Sequence, residues 1–317
     1  MLKTEIIEKI KKLKQKKNAV LLAHYYQRSE VQDIADFLGD SLQLSQAAAK
    51  TKADIIVFAG VYFMAETVKI LSPKKKVLIP DLSAGCSLAD SCKAEDFKEF
   101  IEQNPGYTVI SYVNTDASVK ALTDICCTSS NALQIVNSLP KDKKIIFGPD
   151  RNLGNYIKSL TGRENMLIWD GACHVHEAFS VENIIDFRKQ YPQAKVLAHP
   201  ECKEPVLLLA DYIGSTSALL AFSASDNTQT YIVATEPGII HQMRQKSPKK
   251  EFIPASSSNT LSSEVDDSCG ACSNCEFMKL ITLEKIYDSL LNEQFEVNIE
   301  ENIRQKAEKS IVKMLNL

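Results

Sequence analysis

The chain has 317 residues and a mass of 35.3 kDa, with 37 basic and 40 acidic side chains, a net charge of −3 and a pI near 6.0. Length alone predicts two domains of about 150 residues each. The hydrophobic share of 44% excludes a disordered chain, and the near-balanced charge gives no reason to expect a nucleic-acid or polyanion binder.

The chain opens on MLKTEIIEKIKKLKQKKN, which is charged and lacks the apolar stretch of a secretory signal. Ile6, Ile7, Ile10 and Leu13 recur there at helical spacing, which predicts a helix packed on the body. The runs Lys11–Lys17, Lys74–Lys76 and Lys249–Lys250 read as solvated faces or turns. No apolar stretch approaches the roughly 18 residues of a membrane span. A cytoplasmic location is therefore expected, where the nine cysteines read as metal ligands or reactive groups rather than disulfides.

Four short apolar runs follow: AVLLAHYYQ, IIVFAG, KVLIPD and YTVISYVN. They read as strands buried on both faces, the signature of a parallel sheet. Helical patterns lie between them, in VQDIADFLGDSLQLSQAAAK (31–50) and VYFMAETVKIL (61–71). Strand–helix alternation predicts an α/β fold.

The alternation repeats at long range. The first strand of each unit is predicted to end at His24, Tyr112 and His199, which are 88 and 87 residues apart. A hydroxyl follows each at 17 residues (Ser41, Ser129, Thr216), and the next strand ends at 36 residues (Gly60, Gly148, Thr235). Matched offsets in three places predict three homologous αβα units, over 1–87, 88–174 and 175–262. Each has a four-stranded parallel sheet. A Cys-rich loop and C-terminal helices over 263–317 then pack back on the body. In such sheets ligands bind beyond the carboxyl ends of the strands. Three units sharing one site would turn those ends toward a common pseudo-threefold axis.

The first-strand ends read HYYQ (His24–Gln27), YVNT (Tyr112–Thr115) and HPEC (His199–Cys202). They supply His24, Tyr26, Tyr112, Asn114, His199 and Glu201, proton-active groups that suit a cleft. Ser41, Ser129 and Thr216 fall at helix starts, where a hydroxyl is often only an N-cap. A helix start also presents free N–H groups, so the three together would suit a small ligand with several anionic groups. No Walker loop and no GxGxxG occurs, so nucleoside triphosphates and dinucleotides lose support.

Cys86 closes the first unit in DLSAGCSLADSC and Cys173 the second in WDGACHVH, 62 and 61 residues past their first strands. The third unit lacks an equivalent and is followed by Cys269-Gly-Ala-Cys272-Ser-Asn-Cys275. Thiolates select zinc, Cu(I) or iron–sulfur clusters, and three of them leave a fourth metal position open, as catalytic sites do. His174 and His176 could instead complete a zinc site. Cys92, Cys126, Cys127 and Cys202 read as small buried hydrophobes.

In this order HYYQ, GDSLQLS, DLSAGCSLAD, SYVNT, CTSSN, WDGACHVH, HPEC, GSTSALL and CEFM resemble the quinolinate synthase family, over essentially the whole chain. The resemblance implies three αβα domains around a pseudo-threefold axis, with the active site and one [4Fe–4S] cluster at the centre. It assigns the cluster to Cys86, Cys173 and Cys275, with one iron open; Glu276 stands where the family has proline, and Cys269 and Cys272 are accessory. It implies condensation of iminoaspartate (iminosuccinate) with dihydroxyacetone phosphate to quinolinate, phosphate and water, in de novo NAD biosynthesis. It places His24, Ser41, Tyr112, Asn114, Ser129, His199, Glu201 and Thr216 against the ligand, with Tyr26 on a mobile loop. Within it, Glu201 is the expected general base, His24 and Tyr26 move protons, and His199 holds a carboxylate. The expected partners are these small molecules and, functionally, an aspartate-oxidising enzyme. Two other classes compete: a zinc-dependent hydrolase or lyase, and a non-catalytic iron–sulfur redox sensor.

Overall fold

The computed structural model describes residues 3–255 and 273–317. Three four-stranded sheets appear, every strand parallel to its neighbours. The first holds β1 (Ala19–His24), β2 (Phe37–Gly39), β3 (Ile55–Ala59) and β4 (Lys76–Leu78), in the order β2-β1-β3-β4. The second holds β5 (Thr108–Tyr112), β6 (Ile125–Cys127), β7 (Ile145–Gly148) and β8 (Met166–Ile168), in the order β6-β5-β7-β8. The third holds β9 (Lys195–Ala198), β10 (Tyr212–Ile213), β11 (Thr230–Ala234) and β12 (Glu251–Pro254), in the order β10-β9-β11-β12. One strand order three times over is what the repeated offsets predict. In each sheet the chain leaves the first strand to one side and returns on the other. The switch point therefore lies between the first and third strands, where α/β sheets bind ligands.

The inner strands are apolar because both their faces are covered: all five residues of β3 are buried, as are Val20–His24 of β1. Each large aliphatic side chain so enclosed contributes about 1.5–3 kcal/mol by leaving water. The edge strands β2, β6 and β10 are different. They are two or three residues long and partly exposed in β2 and β10. The stretch 31–50, which carries a helical pattern, is broken by one of them: a short helix Ser29–Asp33, then β2, then the helix Ser41–Lys50. Asp40 forces the restart, accepting the Gln43 N–H at 3.0 Å while Gln43 Oε1 accepts the Asp40 N–H at 3.1 Å.

The first helix, Lys3–Lys16, buries Ile6 and Ile10 and packs against Leu283–Asn292 of the tail and against β1. The last helix, Glu301–Asn316, buries Ala307, Ser310, Ile311 and Met314 over β6 and the helix Ala117–Ala121. The tail thus fastens the first two units. The boundary predicted at 262/263 lies outside the described residues. Among the described residues, no helix is long and apolar enough to cross a membrane.

Candidate active site

The three first-strand ends open onto one cleft with about 690 Å³ of empty space. It is lined by His24, Tyr26, Ser41, Cys86, Tyr112, Asn114, Ser129, Cys173, His199, Glu201, Thr216 and Cys275, so the polar strand-end residues, the three hydroxyls and the three proposed thiol ligands all reach it. His24 and Tyr112 are the last residues of β1 and β5, and His199 lies one past β9.

The three hydroxyls do not cap their helices. Asp40 caps the helix that begins at Ser41, and Ser215 caps Thr216–Ser225 by accepting the Ala218 N–H at 3.3 Å. Asn131 precedes Ala132–Ser138, and its Oδ1 instead accepts from the backbone of Thr128 at 2.7 Å. None of the three hydroxyls is spent on capping, and Ser41, Ser129 and Thr216 all line the cleft. Asp40 also ties the units together, since its Oδ2 accepts from Ser130 of the second and Ser217 of the third.

Two imidazoles are held alike. His24 Nδ1 accepts the Tyr26 N–H at 3.2 Å, and His199 Nδ1 accepts the Glu201 N–H at 3.3 Å. Each ring thereby turns Nε2 outward, and His199 Nε2 lies 3.2 Å from Ser129 Oγ. Burial, the dominant influence, lowers His24 to about 4 and His199 to about 3, so both are neutral at pH 7.

Glu201 is 4% exposed. Burial pushes its carboxyl up, but the imidazoles of His176 and His199 and the hydrogen bonds from His176 and Tyr112 outweigh it and hold it at about 2. Tyr112 donates to Oε1 at 2.6 Å, and His176 Nδ1 lies 3.1 Å from Oε2. An ionised carboxylate only accepts, so Nδ1 carries a proton toward it. His176 Nε2 lies 3.0 Å from Thr235 Oγ1, and Thr235 Oγ1 lies 2.7 Å from the Tyr26 hydroxyl. Thr216 meets the same hydroxyl at 2.8 Å. A buried chain thus runs Tyr26–Thr235–His176–Glu201–Tyr112 across all three units. Burial raises both phenols well above their usual range, so they stay protonated.

Each lining cysteine heads a one-turn helix: Cys86 before Ser87–Asp90, Cys173 before His174–Glu177, Cys275 before Glu276–Lys279. Burial pushes Cys86 and Cys275 up to about 12 and Cys173 well above the usual thiol range. The peptide N–H groups of Ala89, His176 and Met278 act in the opposite sense, favouring thiolate. Three half-buried thiols, each backed by N–H donors, form a soft donor set that fits a thiolate-bound metal group. Cys173, His176 and Glu201 also place one ligand atom each within 4.8 Å of one another. Cys269 and Cys272 lie outside the described residues. Cys92, Cys126, Cys127 and Cys202 are fully buried, as small hydrophobes are.

Sequence reasoning did not assign Asp40, Thr235 or Glu236 to the site, and considered His176 only as a zinc ligand. His176 carried one usable signal, its place three residues past Cys173 on a helical turn.

The family described as Quinolinate synthetase A protein matches residues 8–316. The chain is 54% identical over 313 residues to "Quinolinate synthase" of Microcystis aeruginosa (strain NIES-843 / IAM M-2473), covering 99% of this chain and 95% of that protein. It is 53% identical over 317 residues to "Quinolinate synthase" of Rippkaea orientalis (strain PCC 8801 / RF-1), covering 100% and 94%. It is 53% identical over 311 residues to the protein of the same name from Synechocystis sp. (strain ATCC 27184 / PCC 6803 / Kazusa), covering 98% and 95%. With a cleft built from the three strand ends and three thiols, and with similarity running the length of the chain, this protein belongs to the quinolinate synthetase A family.

Proposed function

We propose that this cleft condenses iminoaspartate with dihydroxyacetone phosphate to give quinolinate, phosphate and two waters, in de novo NAD biosynthesis. The observation that carries the reading is the convergence of nine polar side chains and three thiols, drawn from three sheets and the tail, on one cleft. The three units, bounded near residues 87, 174 and 262, stand around a pseudo-threefold axis through it. The enzyme acts in the cytoplasm, supplied by an aspartate-oxidising enzyme.

Cys86, Cys173 and Cys275 would hold a [4Fe–4S] cluster with one iron open. When bound, it supplies a Lewis acid. The chain's own groups do the rest. The substrates carry two carboxylates and a phosphate, and Ser41, Ser129 and Thr216 offer hydroxyls beside free helix N–H groups to clamp them. Asn114 Oδ1 is buried without a hydrogen-bond partner, so it is placed to accept from a ligand N–H or O–H. His199, neutral, holds a carboxylate as donor. Glu201, ionised, takes protons during dehydration and tautomerisation. Tyr112 and His176, both hydrogen-bonded to it, hold the carboxylate ionised and oriented for that role. His24 and Tyr26, with rings 4.6 Å apart, serve the proton transfers of triose isomerisation. Enclosure protects an imine that water would hydrolyse.

The compact Cys173–His176–Glu201 trio is what favours a single-zinc hydrolase or lyase. A redox sensor leaves the polar chain unused. Anaerobic purification separates the three. Brown protein with about four irons and four sulfides that forms quinolinate supports the synthase. One zinc in a colourless protein overturns it, and a cluster without quinolinate leaves the sensor.

A further inference from the structure

Three chain segments touch at Gly238. A Cβ there would lie 2.8 Å from Glu236 Oε2, 2.9 Å from Lys279 Nζ and 2.9 Å from the carbonyl carbon of Tyr26. Only glycine fits. Tyr26 follows β1, Glu236 follows β11, and Lys279 ends the turn headed by Cys275.

The contacts are directional. Lys279 Nζ lies 3.0 Å from Glu236 Oε1, with side chains 8% and 1% exposed, and donates to the Tyr26 carbonyl at 2.8 Å. Glu236 is itself fixed, its Oε2 accepting the Gly238 N–H at 2.8 Å and its Oε1 the Cys275 N–H at 3.5 Å. Arg28 Nε donates to the Lys279 carbonyl at 2.9 Å. Gln32 Nε2 reaches the carbonyls of Tyr25, Gln27 and Gly238. A buried ion pair is weak as a stabilising device, since apolar groups of equal volume pack as well. What it supplies here is one allowed position for the Tyr26 backbone relative to Cys275.

We propose that Lys279 and Glu236 are positioning residues that hold Tyr26 in register with Cys275, so that the tyrosine is seated when the Cys275 turn is. This rests on the reading above of Tyr26 as a proton-moving group and Cys275 as a cluster ligand.

The test compares full-length, anaerobically purified wild type, Lys279→Met, and Glu236→Gln combined with Lys279→Met. The double variant leaves no buried charge unpaired. Two readouts are taken: amide hydrogen exchange across Tyr25–Arg28 before and after cluster removal by oxidant and chelator, and steady-state kinetics. In wild type, cluster removal should speed exchange by about tenfold or more. In loaded variants of normal iron content, exchange should already be fast and indifferent to the cluster. Their kcat should fall by about 100-fold, the cost of a misplacement near 1 Å, while KM for dihydroxyacetone phosphate changes little. Wild-type exchange or wild-type kcat in the loaded double variant overturns the proposal. A wild type that makes no quinolinate defeats the assigned reaction instead, and exchange in the variants still decides the tether.

Discussion

Thr235→Val cuts the chain between Tyr26 and Glu201 at its middle. Thr235 Oγ1 is 2.7 Å from Tyr26 Oη and 3.0 Å from His176 Nε2, and valine keeps the branched shape without the hydroxyl. Two hydrogen bonds are lost, at about 0.5–1.5 kcal/mol net each, so stability should fall by about 1–3 kcal/mol. Tyr26 keeps only Thr216, at 2.8 Å, and its hydroxyl is free to swing. His176 Nε2 is left buried without a partner, and the ring loses the contact that opposes its bond to Glu201. Loss of orientation at both ends should lower kcat by about 10–100-fold. The cysteines are untouched, so iron and sulfide content should match wild type. Thr235→Ser restores a hydroxyl and should return kcat to within about threefold. The assay is anaerobic quinolinate formation at saturating substrate, paired with urea unfolding and iron analysis. A loaded Thr235→Val enzyme with wild-type kcat would show that the chain is a packing feature alone.

Other expectations follow from separate parts of the molecule. Burial, opposed by Lys120, raises Glu66 from 4.5 to about 7. The folded chain therefore binds the extra proton, and its stability falls as pH climbs from about 4.5 to about 7, by up to about 3 kcal/mol. Glu66→Gln keeps the group neutral and should flatten that slope in urea titrations at pH 5 and pH 7.5; an unchanged slope assigns it to other groups. Cys275→Ala should leave less than about one iron per chain with loss of the brown colour, whereas Cys92→Ala should keep both; elemental analysis decides, and a fully loaded Cys275→Ala moves the ligand elsewhere. Asp40→Ala removes a helix cap and the acceptor for Ser130 and Ser217. It should cost about 3–5 kcal/mol in calorimetry or denaturant unfolding, well beyond the roughly 0.5–2 kcal/mol of a cap alone, and a loss no larger than a cap would deny Asp40 its inter-unit role.

The cleft was legible in the sequence because parallel βα units put their chemistry at one topological place, immediately past the strand. His24, Tyr112 and His199 could be found by counting, since each stands at the end of an apolar run and they are 88 and 87 residues apart. Counting works for whatever is fixed by the path of one chain segment. It fails for β2, β6 and β10, because two or three residues cannot display a period, and the stretch 31–50 around β2 then passes for one helix. It also misplaces the caps: Ser41 and Thr216 look like N-caps, while the residues just before them, Asp40 and Ser215, accept the helix N–H groups. That one-residue shift has a chemical consequence, because a hydroxyl engaged in capping has less to offer a ligand. Contacts made across units leave still less trace. Lys279 meets Tyr26 across 253 positions, and Thr235 meets it across 209. Nothing local in either segment requires the other. The groups that bind substrate in this fold could thus be read from repeat geometry. The groups that aim them belong to contacts between repeats, and those appear only once the three sheets are placed together.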